Sequence, residues 1–163
     1  MSKENIYQYL RDHNIMFVVT EHGAVFNMED LKSVELPYPD ADAKNLFVRD
    51  DKRRNYYLIT VKGDKRVDLK DFRRKHELRP LTFASADELM EIMKLYPGAV
   101  TPFGLLNDDE HKVKLFLDEA FGAGLIGVHP NDNTATIWLQ TADLVRIIKE
   151  HGNLVELVNF EDC

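Results

Sequence analysis

Cysteine is nearly absent from this chain: its 163 residues include one, Cys163, at the last position. A single thiol excludes an internal disulfide framework and any metal site built from several cysteines, and we expect a cytoplasmic protein. No apolar run approaches the roughly 20 residues that a membrane-spanning helix needs. The N-terminal stretch MSKENIYQYLRDHN is polar and lacks the apolar segment of a signal peptide. These absences predict a protein that does not associate with a membrane.

Common catalytic signatures are missing as well. The sequence contains no G-x-G-x-x-G, Walker loop, H-E-x-x-H or G-x-S-x-G pattern. Its six histidines are scattered, and no pair has the spacing that places two metal ligands on one helix face. We therefore expect no metal ion and no cofactor, and Cys163 at a terminus is a poor candidate for a nucleophile.

The charge of the chain is unevenly distributed. The formal net charge is −7, yet residues 44–79 contain 13 Lys and Arg against 6 Asp and Glu, whereas the rest of the chain has 8 against 22. A basic segment on an acidic protein can attract phosphate locally while the remaining surface repels it. The alternative is that these basic side chains are simply solvated on exposed strands and one helix.

Hydrophobic periodicity and capping residues predict the elements of a mixed α+β fold. The length suits a single domain over residues 1–163, with a largely antiparallel sheet and helices packed on it. Helices are expected at 3–13, at 27–34, at 68–76 with Asp68 as the cap, from Ser85, which forms a capping box with Glu88, to Pro97-Gly98, and at 141–149. Strands are expected at 17–20, 45–49, 56–62, 81–84, 112–118, 125–129, 134–139 and 154–160, and the two prolines of segment 36–39 favour extended or turn structure there.

Lys44 and Asn45 form the first unusual stretch. They stand at the mouth of the apolar strand Leu46-Phe47-Val48, where a fixed ammonium group can meet a phosphate. An ordinary lysine flanking a strand explains the same pattern.

The loop from Pro97 to Leu105 is the second. Gly98 and Gly104 allow positive φ and close approach of the backbone to a ligand. Pro97 and Pro102 stiffen the loop and remove two donors, so that the remaining amides can point inward at a developing oxyanion. A helix C-cap followed by a connecting loop is the alternative explanation.

His129 is the third feature, at a strand end beside the turn-forming PNDN. A histidine in such a place can reach into a site and exchange protons near neutral pH. An exposed surface histidine fits the pattern equally.

Together these stretches resemble the YbaK/prolyl-tRNA editing-domain family, and most of all its free-standing alanyl-tRNA(Pro) deacylases, which are related to the editing insertion of bacterial prolyl-tRNA synthetases. The similarity covers nearly the whole chain, and the order and spacing of the motifs fit. The matching residues are Lys44-Asn45-Leu46-Phe47, Tyr56-Tyr57-Leu58, the G-x-x-x-P loop Gly98–Pro102 with Phe103-Gly104-Leu105, and His129-Pro130 with Asn133-Thr134.

The resemblance implies a trans-editing deacylase that hydrolyses mischarged Ala-tRNA(Pro) to alanine and tRNA(Pro) without a metal or a protein nucleophile. Lys44 would hold the phosphate at the terminal adenosine, Asn45 would position the 3′ end, and His129 would line the pocket. The loop backbone would bind the aminoacyl ester and orient the attacking water. The loop residues carried over are Gly98, Ala99 and Pro102 as catalytic, and Val100, Thr101 and Phe103 as substrate-binding.

The implied partner is the acceptor end of tRNA(Pro); prolyl-tRNA synthetase and elongation factor stay open as further partners. Lys70, Arg73 and Arg74 lie three or four residues apart on a predicted helix, share roughly one face and would approach the acceptor-stem phosphates. Three other functions stay open: a binding module of the same fold that hydrolyses nothing, a deacylase for cysteine, serine or threonine, and an unrelated hydrolase with His129 as its base.

Overall fold

The computed structural model describes residues 1–22, 41–63 and 65–160. Within these ranges the α-helices are α1 (Lys3–Asp12), α2 (Leu69–Lys75), α3 (Ala86–Met93) and α4 (Thr141–His151). The strands are β1 (Phe17–Glu21), β2 (Ala43–Asp50), β3 (Tyr56–Lys62), β4 (Leu81–Phe83), β5 (Val113–Asp118), β6 (Leu125–Val128), β7 (Ala135–Gln140) and β8 (Val155–Val158). Short 3-10 helices span Pro102–Asn107 and Glu119–Phe121. The predicted helix at 27–34 and the extended segment 36–39 lie outside the described residues. The helix predicted to end at Pro97-Gly98 ends earlier, at Met93, because Lys94 adopts the left-handed conformation.

The strands form two sheets. One has three antiparallel strands in the order β1-β7-β6, and the other has five in the order β4-β2-β3-β5-β8. In the larger sheet β2 pairs antiparallel with β3 and β4, whereas β5 pairs parallel with β3 and β8. The predicted α+β class with mixed, largely antiparallel pairing is confirmed. The division into two sheets was not predicted, because periodicity identifies the faces of a strand but not its partners.

The larger sheet has a hydrophobic core on each face, because side chains alternate along its strands. Phe47 and Leu58 face an inter-sheet core that also contains Ile137 from the smaller sheet and is covered by α1, α3 and α4. The opposite face packs against α2, and we call this the α2-side core; Val48 and Phe72 belong to it. No helix in the described ranges is long and apolar enough to cross a membrane.

Two helices start at the residues that the sequence predicted. The Asp68 side chain accepts hydrogen bonds from the first amides of α2, and Ser85 and Glu88 form the predicted capping box at α3. Such caps contribute about 1 kcal/mol each and fix the residue at which each helix begins.

Gly104 is required for a reason other than the predicted one. Among the loop glycines Gly98 has a positive φ, at 96°, and Gly104 does not. A Cβ on Gly104 would lie 2.5 Å from Leu95 Cδ1 and 2.7 Å from Met93 Cε. Because both neighbours are buried, the 3-10 helix can pack this closely only through glycine.

Replacing Gly104 by alanine should lower the free energy of unfolding by about 1–3 kcal/mol, as overpacking of a core does. Urea denaturation measures this loss. In a Leu95→Ala background the loss caused by Gly104→Ala should shrink, since the nearer of the two clashing side chains is truncated. Two losses that simply add would show that the close contact is not the cause.

Candidate active site

Backbone contacts bring the three sequence motifs to one corner of the molecule. A parallel bridge pairs Asp42 with Gly127, so that the start of β2 lies beside β6. Two residues further along each segment are Lys44 and His129. The hydroxyl of Thr101 in the loop 98–102 donates to the carbonyl of His129 at 2.6 Å. The corner is therefore formed by β2, the loop 98–102 and the end of β6.

Lys44 and Asn45 lie on opposite faces of β2. Lys44 pairs with Val61, which belongs to the α2-side core. The Nζ of Lys44 donates to the carbonyl of Lys65 at 3.3 Å. Asn45 pairs with Thr60 on the inter-sheet face, and its Oδ1 accepts from the Thr60 hydroxyl at 2.6 Å. Two neighbours in sequence thus present an ammonium group and a carboxamide to two different sides of the sheet end.

The loop 98–102 has fewer free amide donors than its composition suggests. The Ala99 amide donates to the Tyr96 carbonyl at 3.1 Å, so this donor is already used within the loop. The amides of Gly98, Val100 and Thr101 donate to no acceptor within the described part of the chain. These three groups are the donors that the loop can give to a ligand.

Thr101 and Phe103 have structural roles that the sequence analysis did not predict. The buried Thr101 hydroxyl donates to His129 and accepts from the Phe103 amide at 3.4 Å, which caps the 3-10 helix that begins at Pro102. The Phe103 side chain is fully buried in the inter-sheet core. The ring holds the 3-10 helix against the core, and its expected contact with a substrate stays a prediction.

His129 is held as a neutral imidazole. Its Nδ1 lies 3.0 Å from the carbonyl of Ala135; a carbonyl can only accept, so Nδ1 bears a proton, and in the neutral form Nε2 keeps a lone pair. Burial lowers the pKa of His129 and outweighs the hydrogen bond to Ala135, which raises it. His22, whose ring centroid lies 6.3 Å away, lowers the pKa further.

His22 is a site neighbour that the sequence analysis did not single out. Its amide donates to the carbonyl of Thr134, and its Nε2 lies 2.9 Å from the Thr136 hydroxyl. The sequence signal was its position directly after β1, but only the pairing of β1 with β7 brings it near His129.

The basic helix α2 lies on the same face of the sheet as Lys44. Phe72 anchors the helix in the α2-side core, which leaves Lys70 and Arg74 exposed and Arg73 half-buried. None of these three cations forms an ion pair with another described residue. Over residues 1–22, 41–63 and 65–160, no group of three or more His, Cys, Asp or Glu is arranged to hold a metal.

A separate open groove of about 460 Å³ lies near the other end of β2. Glu88 there accepts from Arg49 Nε at 3.1 Å and from the Tyr56 hydroxyl at 2.7 Å. Burial raises the pKa of Glu88, but hydrogen bonds from the Ser85 amide, Tyr56 and Arg49 outweigh it and bring the pKa to about 2. These groups are engaged with one another and tie α3 to the sheet.

Comparison with known proteins identifies the family of this chain. Residues 22–147 match the family model of the aminoacyl-tRNA editing domain. The chain is 37% identical to a prolyl-tRNA editing protein of Acetoanaerobium sticklandii, over 96% of each chain. It is 34% identical to a prolyl-tRNA synthetase associated domain-containing protein of Mus musculus, over 88% of this chain and 87% of that one.

A solved structure described as a candidate trans-editing enzyme for prolyl-tRNA synthetase superposes with a TM-score of 0.70 at 20% identity. The superposition covers 98% of this chain and 96% of that one, which supports the fold. The chain belongs to the aminoacyl-tRNA editing domain family. The predicted enzyme class, an aminoacyl-tRNA deacylase, is confirmed through this membership and the similarity to a prolyl-tRNA editing protein.

The depressed pKa of His129 makes the stability of the protein depend on pH. A histidine in an unfolded chain titrates near 6.5, so the unfolded state binds more protons than the folded state as the pH falls through about 6.5. The free energy of unfolding should therefore decrease between about pH 7.5 and about pH 5.5.

Urea denaturation at both pH values, on the wild type and on His129→Gln, measures this decrease. The variant should lose less stability on acidification, while His13→Gln, a change at an exposed histidine, should behave as the wild type does. Equal losses in the wild type and His129→Gln would contradict the buried neutral imidazole.

Proposed function

We propose that this protein is a trans-editing deacylase that hydrolyses Ala-tRNA(Pro) to alanine and tRNA(Pro), with the whole chain acting as one editing domain. The observation that supports it most is the convergence of β2, the loop 98–102 and His129 at one corner. The relatives named for prolyl-tRNA editing point to the same tRNA.

The terminal adenosine crosses the start of β2 in this proposal. Its phosphate binds Lys44 on the α2 side, and its 3′ end meets Asn45 on the inter-sheet side. The ester carbonyl accepts hydrogen bonds from the amides of Gly98, Val100 and Thr101, which stabilise the oxyanion that forms when water attacks. His129 lines the pocket with its Nε2 lone pair and accepts a hydrogen bond from the water or the ribose hydroxyl.

No protein nucleophile and no metal take part in this proposal. The Thr101 hydroxyl donates to a backbone carbonyl, so it is committed to structure and is not paired with a base. The loop contributes through its backbone, and the attacking oxygen comes from water.

Alanine as the target follows from the limits of size discrimination. A synthetase pocket built for proline cannot strongly exclude the smaller alanine, because each missing methylene changes binding by only about 1–3 kcal/mol. A second pocket that admits alanine and excludes proline adds the missing discrimination. Cysteine, serine and threonine are the competing substrates.

The decisive experiment follows ester hydrolysis on tRNA(Pro) charged with alanine, with proline, or mischarged with cysteine, serine or threonine. Selective release of alanine supports the proposal. Release of another amino acid identifies a different editing specificity. A protein that binds tRNA and releases nothing is a binding module of the same fold.

Removing the Lys44 ammonium should reduce kcat/KM for Ala-tRNA(Pro) about 10- to 100-fold in Lys44→Ala, since a charge-assisted contact to phosphate contributes about 1.5–3 kcal/mol. His129→Ala should cause a smaller loss. Lys112→Ala removes an exposed lysine away from this corner and should leave the rate unchanged. Near-normal turnover of Lys44→Ala would refute the phosphate role.

We also propose that α2 binds the acceptor stem of tRNA(Pro). Changing Lys70, Arg73 and Arg74 to glutamine should weaken tRNA binding and lower the slope of log Kd against log salt by about 2, as expected when up to three phosphate contacts are lost. The matched control changes Lys112, Arg146 and Lys149 to glutamine, at exposed positions elsewhere. Equal effects of the two triple variants would show only a general response to net charge.

A further inference from the structure

Three residues form a row across the larger sheet on the α2 side. Lys44 pairs with Val61. Thr60 pairs in parallel with Leu117, so the next residue of each strand, Val61 and Asp118, follow side by side. Adjacent strands lie about 4.8 Å apart, which places the backbones of Lys44 and Asp118 about 10 Å apart. An extended lysine side chain and a carboxylate can close this gap over Val61.

Asp118 is a buried carboxylate whose side chain is 1% exposed. Its Oδ2 accepts from Lys65 Nζ at 2.8 Å and from the Lys62 amide at 3.0 Å, and its Oδ1 accepts from the Ala120 amide at 2.9 Å. Burial raises its pKa, but these hydrogen bonds outweigh burial and lower it. Asp118 is therefore a fixed negative charge in the same row as Lys44.

Lys65 lies between the positive charge of Lys44 and the negative charge of Asp118 and contacts both residues. Its ammonium pairs with Asp118, and its carbonyl accepts the hydrogen bond from Lys44 Nζ. The turn that holds Lys65 is fixed at its start, because the Gly63 amide donates to the carbonyl of Asp42 at 2.8 Å. Lys44 is thus oriented by a neutral carbonyl, and no carboxylate among the described residues forms an ion pair with it.

We propose that Lys65 is a positioning residue that occupies Asp118 and so keeps the Lys44 ammonium available for a phosphate of the substrate. This inference rests on the proposed function of Lys44. Without the Lys65 ammonium, Asp118 would be a buried carboxylate with no cation, which is strongly unfavourable. Lys44 would then turn across Val61 to pair with it.

The test is the deacylation of Ala-tRNA(Pro) by Lys65→Met. Its KM should rise about tenfold with a smaller change in kcat, because a binding contact is lost and the loop and His129 are unchanged. Lys65→Arg should keep a KM near that of the wild type. Lys114→Met removes another ion pair of the same sheet face, to the more exposed Glu156 at 2.9 Å, and should have no effect. An unchanged KM in Lys65→Met would overturn the inference.

A second change separates positioning from a merely structural role. In Lys65→Met with Asp118→Asn no carboxylate is left to capture Lys44, so the KM should return toward the value of the wild type. If the ion pair only supports the fold, removal of both partners should leave the KM raised or raise it further, and that result would also overturn the inference. In a Lys44→Ala background, Lys65→Met should not raise KM again.

Failure of the proposed function would give a different experimental result from failure of this inference. A wild-type protein that releases no alanine contradicts the deacylase proposal, and the Kd of uncharged tRNA(Pro) for the same variants then decides the inference. Weaker binding by Lys65→Met, restored by Asp118→Asn, supports it. Equal Kd values for the wild type and Lys65→Met overturn it.

Discussion

The contact on which the candidate site depends is the parallel bridge between Asp42 and Gly127. It joins the start of β2 in the larger sheet to β6 in the smaller one, and so brings the strand that holds Lys44 beside the strand that leads to His129, although the two residues belong to separate sheets. A Cβ at position 127 would lie 2.6 Å from Nε1 of the buried Trp138, which pairs with Gly127 across β6 and β7. Glycine therefore allows the indole to cover the strand while β2 approaches it.

Side chains at the end of a strand alternate between the two faces of the sheet, as they do along the rest of the strand. Lys44 and Asn45 are consecutive, so one projects to the α2 side and the other to the inter-sheet side. Phosphate and ester lie on different sides of a ribose, and a site with both faces can bind both at once. The uneven charge supports the same orientation: the α2 side presents Lys70 and Arg74, whereas most of the remaining chain is acidic.

Much of the fold was predictable from local signals. Ser85 with Glu88, Asp68 at the start of α2 and the alternation in β5 each identify an element without reference to the rest of the chain. The parallel pairing of β5 with β3 and β8 was not predictable, because it depends on partners far away in sequence.

The candidate site was predictable as a set of positions but not as a set of roles. Composition identified the loop from Gly98 to Pro102. It could not show that the Ala99 amide is already used or that the Thr101 hydroxyl serves His129, because both contacts depend on the local path of the backbone. Lys65 and Asp118 are 53 residues apart and have no motif in common. Their relation to Lys44 exists only through the register of three strands.

The contact between Thr101 and His129 explains why backbone chemistry suits this corner. One hydroxyl joins the loop whose amides are proposed to bind the ester to the strand end that holds the imidazole, so the proposed donors and acceptor are fixed relative to one another. Catalysis by hydrogen bonds requires such preorganisation, because donors that must reorient during the reaction lose much of their effect. Burial of His129 fits the same proposal: it lowers the pKa of the imidazole and favours its neutral form, in which Nε2 can accept a hydrogen bond and no second positive charge competes with Lys44 for the proposed phosphate.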